Sequence, residues 1–293
     1  MLKDSSKYEY QKRINNVLDY INYNLDKELN LSVLSRISCF SKYHFHRIFY
    51  SLIEETPEDY VRRIRLEKAA NLITSSQILN ITDIAFNCGF TSSSLFSRIF
   101  KNHFKMSPYK FKKYSKNSKE FLFNYKYNNH KIYQGIQMEA HIKTMQKYRV
   151  AYIKHFKGYN QGIKKAYDTL FRWAIPKGYV NDNTKIIGIS FDNPEVTPDF
   201  KCRYYACITV EKDITPDGEI GITEIPSGKY AVFHYEGKKH EIAQAYNYIY
   251  DKWLPESNYE PGDFPSYEFT KYSEKYRFSK NISTDICLPI IPL

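Results

Sequence analysis

A duplicated pattern constrains this chain more than any other feature. Phe45-His-Arg-Ile-Phe49 recurs as Phe96-Ser-Arg-Ile-Phe100 at an offset of 51, and Thr56-Pro57 recurs as Ser107-Pro108 at the same offset. Phe40 recurs as Phe90 at an offset of 50. The second copy, from Ile81, reads as two short helices about a tight turn. Ile81, Ile84 and Ala85 form an apolar stripe at i, i+3, i+4, and a small residue such as Ala85 suits a close crossing. Gly89 can take the left-handed conformation that ends a helix, Phe90 plugs the turn, and Thr91 or Ser92 caps the second helix. Leu95, Phe96, Ile99 and Phe100 then face inward. The opposite side carries Ser93, Ser94, Ser97, Arg98 and Lys101, short hydrogen-bonding groups and positive charge suited to bases and phosphates in a major groove.

Two such units in this order and spacing resemble the AraC/XylS family of transcription regulators, over about residues 8–115. The resemblance implies an all-α DNA-binding domain in which a long helix, from Pro57 to about Thr74, joins two helix-turn-helix heads. Thr56 is a natural N-cap and Pro57 a natural first helical residue. Such a helix is ~27 Å long, close to the scale of one DNA turn. By residue match to the family, Tyr43, His46 and Arg47 face bases or phosphates, with Phe45, Ile48 and Phe49 inward. Arg47 stands out because Arg can bind guanine O6 and N7 together. Cys39 departs from the family by standing where a glycine like Gly89 is usual. The second head has serines where relatives carry longer amides, so it is expected mainly to position the DNA backbone.

Charge agrees with this division. Residues 1–117 hold 19 Lys and Arg against 11 Asp and Glu, a net +8, whereas residues 118–293 hold 24 against 21, a net +3. The basic half is the half with the paired heads. The five cysteines show no C-x-x-C spacing and no histidine partner, so neither metal nor cofactor is expected. No apolar signal segment and no run of ~18–20 apolar residues is present, which predicts a cytoplasmic, nucleoid-associated protein. The polar, Asn- and Lys-rich stretch 116–137 reads as a linker between domains at 1–115 and 138–293.

The second domain is also a repeat. His155, Gly158, Tyr167 and Pro176 match His234, Gly237, Tyr246 and Pro255, all at an offset of 79. Each half predicts a strand, a helix and two strands (Tyr148–His155, Gln161–Ala174, Lys185–Ser190, Lys201–Val210; then Lys229–Tyr235, Glu241–Trp253, Ser266–Tyr272, Ile282–Ile290). Two βαββ halves related by pseudo-twofold symmetry make an α+β domain with a groove between them, where a small ligand can lodge. Gly188, Asp192-Asn-Pro194, Gly228-Lys-Tyr-Ala231, Gly237, Trp253-Leu-Pro255 and Pro265-Ser-Tyr-Glu268 carry a resemblance to GyrI-like effector-binding domains.

Alternation along the strands predicts Ile153 and Val232 against the helices, leaving Tyr152, Lys154 and Phe233 toward the groove. Glu268, between aromatic residues, is expected on the groove side as the counter-charge for a small hydrophobic cation, and the family resemblance points to the same residue. The expected function is a DNA-binding transcription regulator modulated by such an effector, with double-stranded DNA and RNA polymerase as partners and no catalytic residue. Two alternatives are a GyrI-like hydrolase using Glu268 as general base, and an architectural DNA binder with a vestigial ligand domain.

Overall fold

The computed structural model describes residues 2–75, 79–117, 138–156, 158–159, 162–194, 196–211, 214–271 and 281–292. These form two compact units, one helical and one built on strands. Most of the predicted linker, from residue 118 to residue 137, lies outside the described residues.

The helical unit contains α1 (Leu2–Tyr23), α2 (Leu31–Ile37), α3 (Lys42–Ile53), α4 (Pro57–Ser75), α5 (Ile81–Asn87), α6 (Ser93–Phe104) and α7 (Pro108–Asn117). Side-chain caps fix four helix starts. Asn30 accepts from the amide of Val33, Ser41 from His44, Asn80 from Asp83 and Ser92 from Leu95, each satisfying an N–H that the first turn leaves open. Thr56 Oγ1 likewise accepts from the amide of Asp59 at 3.1 Å. The duplication extends to the backbone: α3 ends on left-handed Glu54, and α6 on left-handed Lys105. Gly89 has φ +78°, and Cys39 takes the same left-handed conformation at φ 54° despite its side chain.

Aromatic rings fill the core of each head. Phe45 packs on Phe49 and Phe49 on Tyr60 of α4, with ring centroids 5.5 and 5.6 Å apart. In the second head Phe96, Phe100 and Phe104 form a ladder that Phe111 of α7 closes. Arg63 of α4 is buried and pairs with Glu55 and Glu67, which holds its guanidinium above the usual range despite desolvation.

The second unit contains β1 (Ala140–Met145), β2 (Tyr148–His155), α8 (Ile163–Ala174), β3 (Lys185–Ser190), β4 (Tyr204–Thr209), β5 (Gly221–Ile225), β6 (Gly228–Lys238), α9 (Ile242–Tyr248), β7 (Tyr259–Pro261), β8 (Tyr267–Lys271) and β9 (Asn281–Pro292). A π-helical turn, Ile249–Trp253, continues α9. All pairings are antiparallel, in the order β1-β6-β9-β8-β3-β4-β2-β5, with β7 on the far side of β9. The halves β2-α8-β3-β4 and β6-α9-β8-β9 thus meet at the central β3–β8 pair, as the repeat predicts. The short strands β1 and β5 are not evident from the sequence pattern. Their pairings, from Ala140↔Phe233 to Met145↔Gly228 and from Tyr148↔Ile225 to Tyr152↔Gly221, fall on one continuous register. β1–β2 and β5–β6 are therefore two long strands, each kinked once, at 146–147 and at Pro226-Ser227. The strand leading into each half edges the other half.

Both faces of this curled sheet are apolar. Ala151, Ile153, Tyr204 and Ile208 pack against α8, while Ala231, Phe233, Tyr235 and Ile286 pack against α9. The opposite face buries Tyr152, Tyr205, Cys207, Tyr230, Val232, Tyr267 and Cys287 in a third cluster.

Candidate DNA-binding face and effector groove

The helix spacing leaves one face of α3 in solvent. Tyr43 is 65% exposed and Arg47 is exposed, while His46 is half-buried beside them. Arg47 Nη1 donates to Tyr43 Oη at 2.6 Å, and its guanidinium carbon stands 5.5 Å from the centre of the Tyr43 ring. Because they are four residues apart, the two side chains form one amphipathic, cationic surface. On α6 the structure exposes Ser94, Arg98 and Lys101 and half-buries Ser93 and Ser97. Arg98 and Lys101 thus present positive charge next to short hydroxyls, the composition of a phosphate-positioning face.

In the second unit Glu268 lies on the helix-covered face of central strand β8, half-buried and directly paired with Gly188 of β3. Gly188 makes the room. A Cβ there would overlap the Tyr204 hydroxyl and lie 3.1 Å from Glu268 Oε2. Tyr246 Oη of α9 donates to Glu268 Oε1 at 3.0 Å, and the Tyr204 hydroxyl also bonds the carboxyl. Tyr204 in turn meets Tyr167 of α8, oxygen to oxygen at 3.1 Å, and Tyr167 Oη donates to the carbonyl of Ile187 at 2.9 Å. Tyr250, one turn beyond Tyr246, bonds Ser266 Oγ at 3.2 Å. Hydroxyls reaching from both helices therefore converge on one carboxyl. Burial pushes the Glu268 carboxyl above its ordinary range, opposed by the Tyr246 bond, the Lys239 charge and the Tyr204 bond. Burial likewise holds Tyr246 well above the usual phenol range.

One wall of this groove is braced by a buried ion pair. Arg203 Nη2 meets Asp192 Oδ1 at 2.5 Å and Arg203 Nε meets Oδ2 at 2.9 Å, a two-point pairing. Tyr159 Oη donates to the Asp192 carbonyl at 2.6 Å and accepts from the Asp192 amide at 2.9 Å.

The expected groove walls are corrected. Tyr152 is on the opposite face of the sheet from Glu268, stacked on Tyr205 with centroids 4.7 Å apart and only 1% exposed. Lys154, on the same side as Tyr152, stands over the Tyr152 and Tyr205 rings. Phe233 is on the helix side but fully buried beneath α9, edge-on to Trp253 at 5.0 Å, and Val232 takes the other face. The tyrosines that do surround Glu268 are absent from the sequence-based expectation. The repeat holds the signal for two of them, because Tyr167 and Tyr246 are equivalent positions in the two halves.

Comparisons with known proteins agree with both halves. Residues 138–291 match the model for the GyrI-like small molecule binding domain, and residues 34–114 match a helix-turn-helix domain. The chain is 33% identical over 99 residues to the regulatory protein SoxS of Escherichia coli K12, spanning 34% of this chain and 92% of SoxS. It is 37% identical over 110 residues to the probable transcriptional regulator LumQ of Photobacterium leiognathi, spanning 37% of this chain and 43% of LumQ. Among solved structures, the EcmrR C-terminal domain aligns with 54% of this chain and all of that domain, at 14% identity and a TM-score of 0.44. Among the described residues, no helix is long and apolar enough to cross a membrane.

Proposed function

We infer function from kinship: the chain belongs to the GyrI-like family through residues 138–291 and to the AraC family of transcription regulators through its helix-turn-helix half. It is a DNA-binding transcription regulator with a small-molecule-binding domain. Beyond that, we propose that the two heads read adjacent major-groove segments. Tyr43, His46 and Arg47 on α3 contact bases, and Ser93, Ser94, Ser97, Arg98 and Lys101 on α6 chiefly contact phosphates. The exposed Arg47–Tyr43 pair is the observation that carries this reading. RNA polymerase is the second partner, and the site of action is the cytoplasm, on the nucleoid.

The effector is a flat, hydrophobic cation bound at Glu268. The carrying observation is a half-buried carboxyl ringed by Tyr246, Tyr204 and Tyr167, whose rings and hydroxyls offer faces and dipoles to a cation while Glu268 supplies the charge. Footprinting on the DNA upstream of the gene, with and without a permanently charged aromatic cation, tests both halves. Protection of two segments ~10 base pairs apart, altered by the cation, is expected. Protection of a single groove segment would refute the paired-head reading, and a footprint indifferent to cations would refute the effector reading.

A further inference from the structure

The groove contains one more oxygen–oxygen contact than its phenols can fill with protons. Four contacts run in series: Ile187 carbonyl to Tyr167, Tyr167 to Tyr204, Tyr204 to Glu268, and Glu268 to Tyr246. Each needs one hydrogen between its two oxygens. The three tyrosines supply three. Tyr167 gives its proton to the Ile187 carbonyl and Tyr246 gives its proton to Glu268 Oε1. Tyr204 can then serve Tyr167 or Glu268, but not both. An ionised Glu268 leaves two oxygens facing each other with no hydrogen between them, whereas a protonated Glu268 completes the chain by donating to Tyr204.

We propose that Glu268 carries a proton in the resting groove and that a cationic effector displaces it, so that each binding event releases one proton. The proposal rests on the reading of this groove as the effector site. The exchange balances: the cation pairs with the carboxylate, the carboxyl proton leaves to solvent, and Tyr204 turns its own proton from Tyr167 to Glu268. The groups facing Glu268 are consistent with this. Tyr246 and Tyr250 come from α9 and its π turn, Tyr204 from β4, Tyr167 from α8 and Tyr159 from the loop after β2, all neutral phenols. Lys239, ahead of α9, is the one cation acting on the carboxyl among these. Burial favours the neutral acid and outweighs Lys239 and the hydrogen bonds. Tyr167 thus acts as a positioning residue, setting which way Tyr204 points without needing to touch the effector.

The test uses the full chain, with N-methylacridinium as a fixed cation and N-methylacridone as its neutral counterpart. Infrared difference spectra of the unliganded protein at neutral pH should contain a protonated-carboxyl band that disappears in Glu268→Gln. Calorimetry in phosphate and in Tris should give different apparent enthalpies for the cation, corresponding to release of one proton, and equal enthalpies for the acridone. Cation affinity should rise about tenfold per pH unit until Glu268 ionises in the free protein. Tyr167→Phe removes the partner of Tyr204, freeing its proton for the carboxylate, and should move that plateau to lower pH. Absence of the infrared band, or cation binding indifferent to pH and buffer, would overturn the proton exchange and leave the cation-sensor reading standing. The band present with no cation binding would do the reverse, overturning the sensor reading and the exchange it drives.

Discussion

Gly89 and Arg65 are packed so closely that a methyl group on Gly89 would come to 2.7 Å from Arg65 Nη2. The same guanidinium donates to the carbonyls of Leu25 at 2.9 Å and Lys27 at 2.5 Å. One side chain on the long helix α4 therefore holds the segment before the first head against the turn of the second. Gly89→Ala should destabilise the helical unit by ~2–4 kcal/mol, combining left-handed strain with disturbance of charged hydrogen bonds. Urea unfolding followed by the helical circular-dichroism signal measures it, and a loss below ~0.5 kcal/mol would mean the turn relaxes freely.

The equivalent turn of the first head predicts the opposite sign. Cys39 holds φ 54°, a conformation costly for any residue with a Cβ, and its thiol is exposed. Cys39→Gly should stabilise the unit by ~0.5–1 kcal/mol, the relieved strain exceeding the entropy that glycine adds to the unfolded chain. A lower unfolding midpoint in the variant would contradict this.

The two recognition helices should respond differently to truncation. Arg47→Ala should cost ~1–3 kcal/mol of specific binding and relax preference at one base position. Lys101→Ala should weaken all sequences alike and make the salt dependence shallower. Selection from a randomised DNA library checks both, and an unchanged motif with Arg47→Ala would remove that residue from base reading.

The buried Asp192–Arg203 pair should be expensive to break. Both side chains are almost wholly inaccessible, at 2% and 6% exposure. Asp192→Ala strands a buried guanidinium and should cost ~3–5 kcal/mol in denaturant unfolding of the second unit. A cost near zero would show that the guanidinium escapes to water.

His234 supplies a pH dependence. Its Nδ1 lies 2.8 Å from Asp285 Oδ1 across the β6–β9 pair, and Glu236 is near its Nε2. The Asp285 hydrogen bond raises its pKa, against a small opposing effect of burial. A raised pKa means the contribution is complete below the unfolded value of ~6.5 and disappears as pH climbs through the folded value. Wild type should therefore lose stability relative to His234→Gln between mildly acidic and mildly alkaline pH. The ring is more than half exposed, so the change should stay well under ~1 kcal/mol. A gap that widens with rising pH would reverse the sign and refute the pairing.

Much of the fold is legible from residues alone, because repeats cancel local ambiguity. Phe49 and Phe100 identify each other as core, and Tyr148–His155 and Lys185–Ser190 coincide with the observed strands. The faces of those strands are less legible. Ala151 and Ile153 pack beneath a helix while Val150 and Tyr152 are equally buried on the other side, so apolar residues run without a polar alternate to mark either face. The sequence misplaces Tyr152 and Phe233 for that reason. Glu268 is legible because a carboxylate among aromatics has few placements that satisfy it. Its hydroxyl partners are not, because they come from Tyr167, Tyr204 and Tyr246, far apart in sequence and brought together only by the pseudo-twofold.

The register shared by the two long strands gives the second domain a kind of custody arrangement between its halves. Each half's exposed edge is sealed by a strand that belongs to the other's chain segment, so neither half can be separated without opening a ladder of backbone donors and acceptors. A fragment carrying one βαββ unit alone would meet water with that ladder bare, and a second copy of itself would be the nearest thing able to cover it. In a lineage built by copying one half, the ancestor's solution to the same problem would have been a symmetric pair, with the carboxyl of Glu268 arising later on only one of two formerly identical sides.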